Sequence, residues 1–170
     1  RPNMTSHIDK LVKDGMVKVR IRGVDKMVRD LAKTNEQEKI AVKRGIMKAA
    51  EYLMEKMRSK MGTYQSTGGT GGGPWARLTY ESNMKKLMKY GFTNKPLIGS
   101  GAMKDSFEII EGGVGTLAAS VGSSDEKMVH HVYGAPKANL PPRDVMLVTA
   151  TEEASKCREI ILDEVYKAYK

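Results

Sequence analysis

The side chains able to do chemistry are few. Histidine occurs three times, at His7, His130 and His131, and cysteine once, at Cys157. A metal site needs several imidazole, thiolate or carboxylate ligands converging on one point. His130 and His131 adjoin in a stretch, 128–133, that reads as a strand, and neighbouring strand residues point to opposite faces. The pair is therefore not expected to share a metal. Cys157 falls on an apolar stripe, where a packed thiol is the expectation. Asp125, Glu126 and Lys127 bear a faint likeness to a nuclease triad, but the serines before them read as the polar tip of a hairpin. Gly99-Ser100-Gly101 opens like a dinucleotide loop, yet Lys104 holds the third glycine position and no strong strand precedes it. The glycines of 68–73 are not followed by Gly-Lys-Ser/Thr, so they form no phosphate loop, and no G-x-S-x-G elbow occurs. The sequence thus offers no catalytic residue, no cofactor site and no metal site, and the chain is not expected to be an enzyme.

The elements around these residues read as follows. Val17, Val19 and Ile21 alternate with Lys18, Arg20 and Arg22 as in a half-buried strand. Asp25 can cap a short helix to Leu31. Thr34 and Gln37 make a capping box for a long helix over about 36–61, with Ile40, Met47, Ala50, Leu53 or Met54, Met57 and Met61 on one stripe. Residues 62–74 hold six glycines and almost nothing apolar. They are expected to form a flexible arm that orders against a neighbour. A second helix is expected over about 79–90, burying Tyr80, Met84, Leu87 and Met88, with Gly91 as its C-terminal cap. A short helical piece falls within 97–106. Strands follow at 107–111, at 114–121 after a tight Gly112-Gly113 turn, and at 128–133. Leu140-Pro141-Pro142-Arg143-Asp144 is a stiff connector. The last helix starts near Thr149, where Glu152 completes a capping box, and carries Ala150, Ala154, Cys157, Ile161, Val165 and Ala168 on one stripe. Together these predict one α+β domain over 1–170. Its antiparallel sheet of three to four strands packs against the long N-terminal-half helix and the C-terminal helix.

Composition narrows the class. The chain has 170 residues, 40% hydrophobic and 29% charged, which suits a globular domain. A single cysteine forms no internal disulfide, so the chain suits a reducing cytoplasm. No apolar run approaches the roughly 20 residues that span a bilayer, and no membrane partner is expected. The chain begins at Arg1, so a leader, tag or disordered start is expected upstream. The formal charge of +9 favours anionic partners such as DNA. With no arginine block and no aromatic-interleaved patch, it reads as a solvated basic surface.

One ordered series of segments goes further. Pro74-Trp75-Ala76-Arg77-Leu78-Thr79 precedes a helix and is followed by Lys85. Then come Pro96-Leu97-Ile98-Gly99-Ser100-Gly101-Ala102-Met103 with Ser106, a Val121-Gly122 strand, His130-His131-Val132-Tyr133-Gly134, and Leu140-Pro141-Pro142-Arg143 with Val145-Met146-Leu147. The series covers the chain from about Gly73 onward. It resembles the bacteriophage virion-morphogenesis and tail-completion families. Met103 stands where that pattern has Leu, Asp144 where it often has Pro, and the Tyr-Ala before the histidines is missing.

The resemblance implies a structural subunit of the phage neck, a head–tail joining or tail-completion ring that acts in virion assembly. Its location would be the virion neck, at the head-proximal end of the tail, after synthesis in the host bacterial cytoplasm. Its partners would be copies of itself, in six- or twelve-fold number, together with adjoining neck, connector or tail-terminator proteins. Packaged DNA would pass through the ring. The alternative within the class is a tail terminator that caps the tail tube, and outside it a basic DNA-binding protein. The candidate assembly residues are Gly71, Gly72, Gly73, Trp75, Leu78 and Arg143. Trp75 reads either as a binding hot spot or as a core anchor. Arg143 reads either as a clamp on a carboxylate or carbonyl or as a local brace. Trp75→Ala discriminates the first pair: lost assembly with a folded monomer marks a hot spot, and simple unfolding marks a core anchor.

Overall fold

The computed structural model describes residues 8–13, 16–21, 36–112 and 117–168, the first two stretches as backbone. The expected helix at 25–31 and the Thr34 cap lie outside them. Strands β1 (Ile8–Lys13) and β2 (Met16–Ile21) pair antiparallel from Ile8↔Ile21 to Lys13↔Met16. Strands β3 (Phe107–Glu111) and β4 (Ala119–Ser123) pair antiparallel from Phe107↔Ser123 to Glu111↔Ala119. Val19↔Val121 joins the two hairpins, giving the order β1-β2-β4-β3. The fold is α+β, as the patterning implied.

Helix α1 (Glu36–Lys60) has Glu36 and Glu38 in its first turn and Arg58 and Lys60 in its last. Both pairs oppose the helix dipole and stabilise its ends. Its buried face holds Ala41, Val42, Gly45, Ala49, Ala50, Leu53 and Met57. This corrects the expected stripe: Ile40 is 60% exposed, and Met47 is only half-buried. Small residues at 41, 45 and 49 let a second helix come close, so the seam turns toward them and away from Ile40.

That second helix is α5 (Val145–Lys167). A Cβ on Gly45 would lie 2.9 Å from the Ile161 Cα and 3.0 Å from its carbonyl oxygen. The two backbones are thus as close as their atoms permit. Cys157 sits in the same seam, 3.8 Å from the Ala49 carbonyl oxygen. Burial pushes its thiol up to about 11. The Glu164 carboxylate is also buried there, 2.8 Å from Lys48 Nζ and 3.0 Å from Lys167 Nζ. Those hydrogen bonds hold it down to about 2. Beneath the seam, Leu53, Met57, Met61, Phe107, Val121 and Met146 belong to one core. Met57, Met128 and Met146 are wholly enclosed, each contributing about 1.5–3 kcal/mol of apolar burial.

Three expectations are corrected. After the short helix α3 (Ala102–Asp105), residues 126–133 form helix α4 (Glu126–Tyr133), not a strand. The Asp125 side chain accepts from the Lys127 N–H at 2.9 Å, and Met128 and Val132, four apart, are the buried pair. The link between β3 and β4 is not a two-residue turn: Glu111 pairs with Ala119, and the Gly112 N–H donates to the Ala118 carbonyl at 2.8 Å. Finally, α5 begins four residues before the expected cap. Asp144 caps it by accepting from the Leu147 N–H at 3.0 Å. Thr149 lies inside the helix, its hydroxyl donating to the Val145 carbonyl at 2.6 Å.

Gly45→Ala tests the seam. Alanine gains about 1 kcal/mol of helix propensity, but a methyl group against backbone costs typically 1–3 kcal/mol. The expected outcome is a lower urea midpoint. An unchanged or higher midpoint would show that the seam has slack.

Candidate functional site

The residues singled out by sequence gather where the glycine-rich segment, the Trp75 strand-like stretch and the start of α5 meet. The chain leaves α1 through Gly62, whose φ of +87° and N–H to the Pro96 carbonyl (2.8 Å) turn it sharply. It closes again where the Trp75 N–H donates to the Gln65 carbonyl at 3.0 Å. Between these points the glycines do two different jobs. At Gly68 a Cβ would come 2.4 Å from Val148 Cγ2 and 3.3 Å from Trp75 Nε1, at a φ of +79°. At Gly69 a Cβ would lie 2.2 Å from the Pro74 carbonyl oxygen. Only glycine permits such approach. The Asp144 N–H donates to the Gly68 carbonyl at 2.9 Å, tying the segment to the cap of α5. Gly71 and Gly72 form the tip of a 3-10 turn (Thr70–Gly72), with nothing within 4 Å of a Cβ at either position.

Trp75 is 3% exposed and belongs to the core. Its indole therefore offers no face to a partner, which favours the core-anchor reading, and its buried Nε1 has no hydrogen-bond acceptor. Arg143 is equally buried. Its Nε and Nη2 donate to the Ala76 carbonyl at 3.3 and 3.0 Å. It braces the chain beside Trp75 and, among the described residues, meets no carboxylate. Leu78 is half-buried, and its N–H donates to the Tyr64 hydroxyl at 3.0 Å. The Arg77 guanidinium lies 4.2 Å above the Tyr64 ring. Of the residues named from sequence, Trp75 and Arg143 meet at this corner through the Ala76 carbonyl, Leu78 is tied to Tyr64 instead, and the Gly71–Gly72 tip stands apart.

Helix α2 (Tyr80–Tyr90) follows, closed by Gly91 in the left-handed region as its sequence predicted, and capped at its start by Thr79. Its packing is not as predicted. No residue of α2 is buried, and Tyr80, Leu87 and Met88 are 81%, 44% and 84% exposed. The helix hangs from polar ties: Lys86 Nζ donates to the Lys95 carbonyl at 2.9 Å and to the Ile98 carbonyl. The Asn83 side chain accepts from the Asn94 N–H at 2.8 Å. Tyr90 and Phe92 stack with ring centroids 5.9 Å apart, and Lys86 and Lys95 lie 5.7 and 5.3 Å from the Phe92 ring. Sequence patterning marked the stripe but could not say that no described element buries it.

His131 lies behind Arg143, its carbonyl accepting the Arg143 N–H at 2.5 Å. Its Nδ1 is buried without a partner. Burial first, then the positive charges of Arg143 and Lys86, push the imidazole down to about 4. His130 points to solvent. No group of three or more metal-ligating side chains exists among the described residues, and no helix among them is long and apolar enough to cross a membrane.

Compared with known protein families, curated proteins and solved structures, the chain matches none. It has a braced corner, an open loop tip and a helix with bare apolar residues.

Two measurements check this corner. Gly68→Ala should be far more destabilising than Gly71→Ala, because only the first drives a methyl group into Val148. The expected cost is at least about 2 kcal/mol against about 1 kcal/mol for backbone strain alone, read from urea midpoints; equal costs would refute the packing. His131 gives a pH test. An unfolded imidazole protonates near 6.5 and the folded one near 4, so protons favour the unfolded chain in that window. Stability present above pH 6.5 should fall by up to roughly 3 kcal/mol as pH drops toward 4. His131→Gln should remove that part of the pH dependence; an unchanged slope would place the imidazole in water.

Proposed function

We propose that this chain is a structural subunit of a phage neck ring, serving head–tail joining or tail completion, and that it does not act as an enzyme. The ordered series from Pro74-Trp75 to Pro142-Arg143 suggests the class. The observation that supports an assembly role most directly is α2, a capped helix that buries none of its residues and leaves Tyr80, Leu87 and Met88 bare. Large apolar groups clustered on a surface mark contact with another protein. Polar ties to 94–98 hold the helix in place, so the stripe is presented ready-made. In this reading the Gly71–Gly73 tip is a second contact, and Trp75 with Arg143 positions both.

A tail terminator would use the same kind of surface, and lysates separate the two. Phage lacking the protein should leave full heads beside tails of normal length if it completes the neck. Overlong tails would instead mean termination, and fully infectious particles would end both readings. The formal charge of +9 favours DNA as the rival partner. That reading requires an affinity that drops steeply with added salt; a flat response removes it.

Tyr80→Ser with Met88→Ser is the matching variant. Both side chains are exposed, so stability should change by no more than about 0.5 kcal/mol, while the yield of joined particles falls. A folded double variant that joins heads and tails normally would remove α2 from the assembly.

A further inference from the structure

Charge along this chain is divided between two consecutive stretches. Residues 75–104 carry Arg77, Lys85, Lys86, Lys89, Lys95 and Lys104 against Glu81 alone, a net +5. Residues 105–135 carry Asp105, Glu108, Glu111, Asp125 and Glu126 against Lys127 alone, a net −4 with histidines neutral. Adjacent stretches of opposite sign would be expected to neutralise each other by folding together, and here they do not. Lys85 pairs with Glu81 of its own helix at 2.6 Å, Lys86 serves backbone carbonyls, and Lys89 lies 5.4 Å from the Tyr90 ring. On the acidic side, Glu111 meets Lys43 at 3.5 Å. Among the described residues no ion pair joins the two stretches.

The far end of the acidic stretch also stands away from α2, while its near end does not: the Phe107 carbonyl accepts from Arg58 in the last turn of α1, and Lys86 and Asp125 both act on His131. β3 is an edge strand in the order β1-β2-β4-β3, with Glu108 and Glu111 exposed. Glu111 sits beside Lys43 in the second turn of α1. The segment that holds α2 meets Gly62, just past the other end of α1. At 1.5 Å per residue, roughly 28 Å along the helix axis separates these two anchors.

We infer that the basic, apolar face of α2 in one subunit docks on the acidic β3 edge of a second copy. Two-fold pairing of α2 with α2 would set like charges face to face, which opposes a symmetric dimer. A contact between two different patches repeats head to tail, and it closes into a ring if the rotation permits. Glu108 and Glu111 at the edge discourage strand addition, so the contact runs through side chains: lysines over glutamates at the rim, with Tyr80, Leu87 and Met88 at the centre. Only the closure into a ring rests on the neck-subunit reading; the contact stands on charge and geometry.

Reversal of charge tests it on the full chain by sedimentation. Wild type should self-associate, and more weakly as salt rises. Lys85→Glu with Lys89→Glu, and separately Glu108→Lys with Glu111→Lys, should each weaken association by at least about tenfold, with unchanged circular dichroism. Mixing these two variants should restore association, since each then supplies the face the other lacks. The inference is overturned by a wild type that stays monomeric at every concentration, by variants that associate as wild type does, or by a mixture that stays dissociated. Restored mixing together with fully infectious phage lacking the protein would retain the contact and discard the neck role.

Discussion

The missing side chain at Gly45 is the constraint on which the rest of the molecule depends. It lets α1 and α5 approach until Ile161 touches the α1 backbone. That distance sets where the inner faces of both helices lie over the sheet, and therefore which residues the core can hold. Wider separation would need larger side chains at 41, 45 and 49, and Ile40 would then be the natural inward residue. The chain has the opposite arrangement, small residues inside and Ile40 outside. Glu164 is a consequence of the same approach: a carboxylate enclosed between close helices must be paired, and Lys48 and Lys167 supply the cations.

A second tie fixes the outer layer to this pair. Gly68 enters the angle between Val148 and Trp75, and its carbonyl takes the Asp144 N–H at the cap of α5. Arg143, one residue earlier, reaches back to Ala76. Two consecutive residues of the connector, Arg143 and Asp144, thereby locate the Trp75 stretch, the glycine segment and, through the former, α2. The surface helix is positioned by backbone hydrogen bonds and lysine ties and not by apolar burial. That explains how it can keep an apolar stripe free.

Sequence reading recovered the parts of the fold where periodicity and capping agree. α1, α2 and β3 fall within a residue of their expected bounds, and Gly91 closes α2 as expected. The failures come from competition between local signals. Val129-His130-His131-Val132-Tyr133 is rich in strand-favouring residues, yet Asp125 as a cap and the Met128–Val132 spacing prevail. Thr149 and Glu152 form a sound capping box, but Asp144 lies upstream and captures the helix start first. Of the site, the corner residues Trp75 and Arg143 were legible because their types are rare and their neighbours stiff. The bare face of α2 was not, because amphipathicity records that a stripe exists and not whether its cover lies in the same chain. The division of charge was present in the sequence throughout, but it gains meaning only once each stretch is seen to pair elsewhere, with no ion pair between them among the described residues.

Cys157 has a consequence of its own. The thiol is enclosed between Ala49 and its own helix, and it is held in the protonated, unreactive form. An alkylating reagent can reach it only when the two helices part. Its rate of modification is thus a built-in clock for the rarest opening of the molecule, and it ticks without any added label.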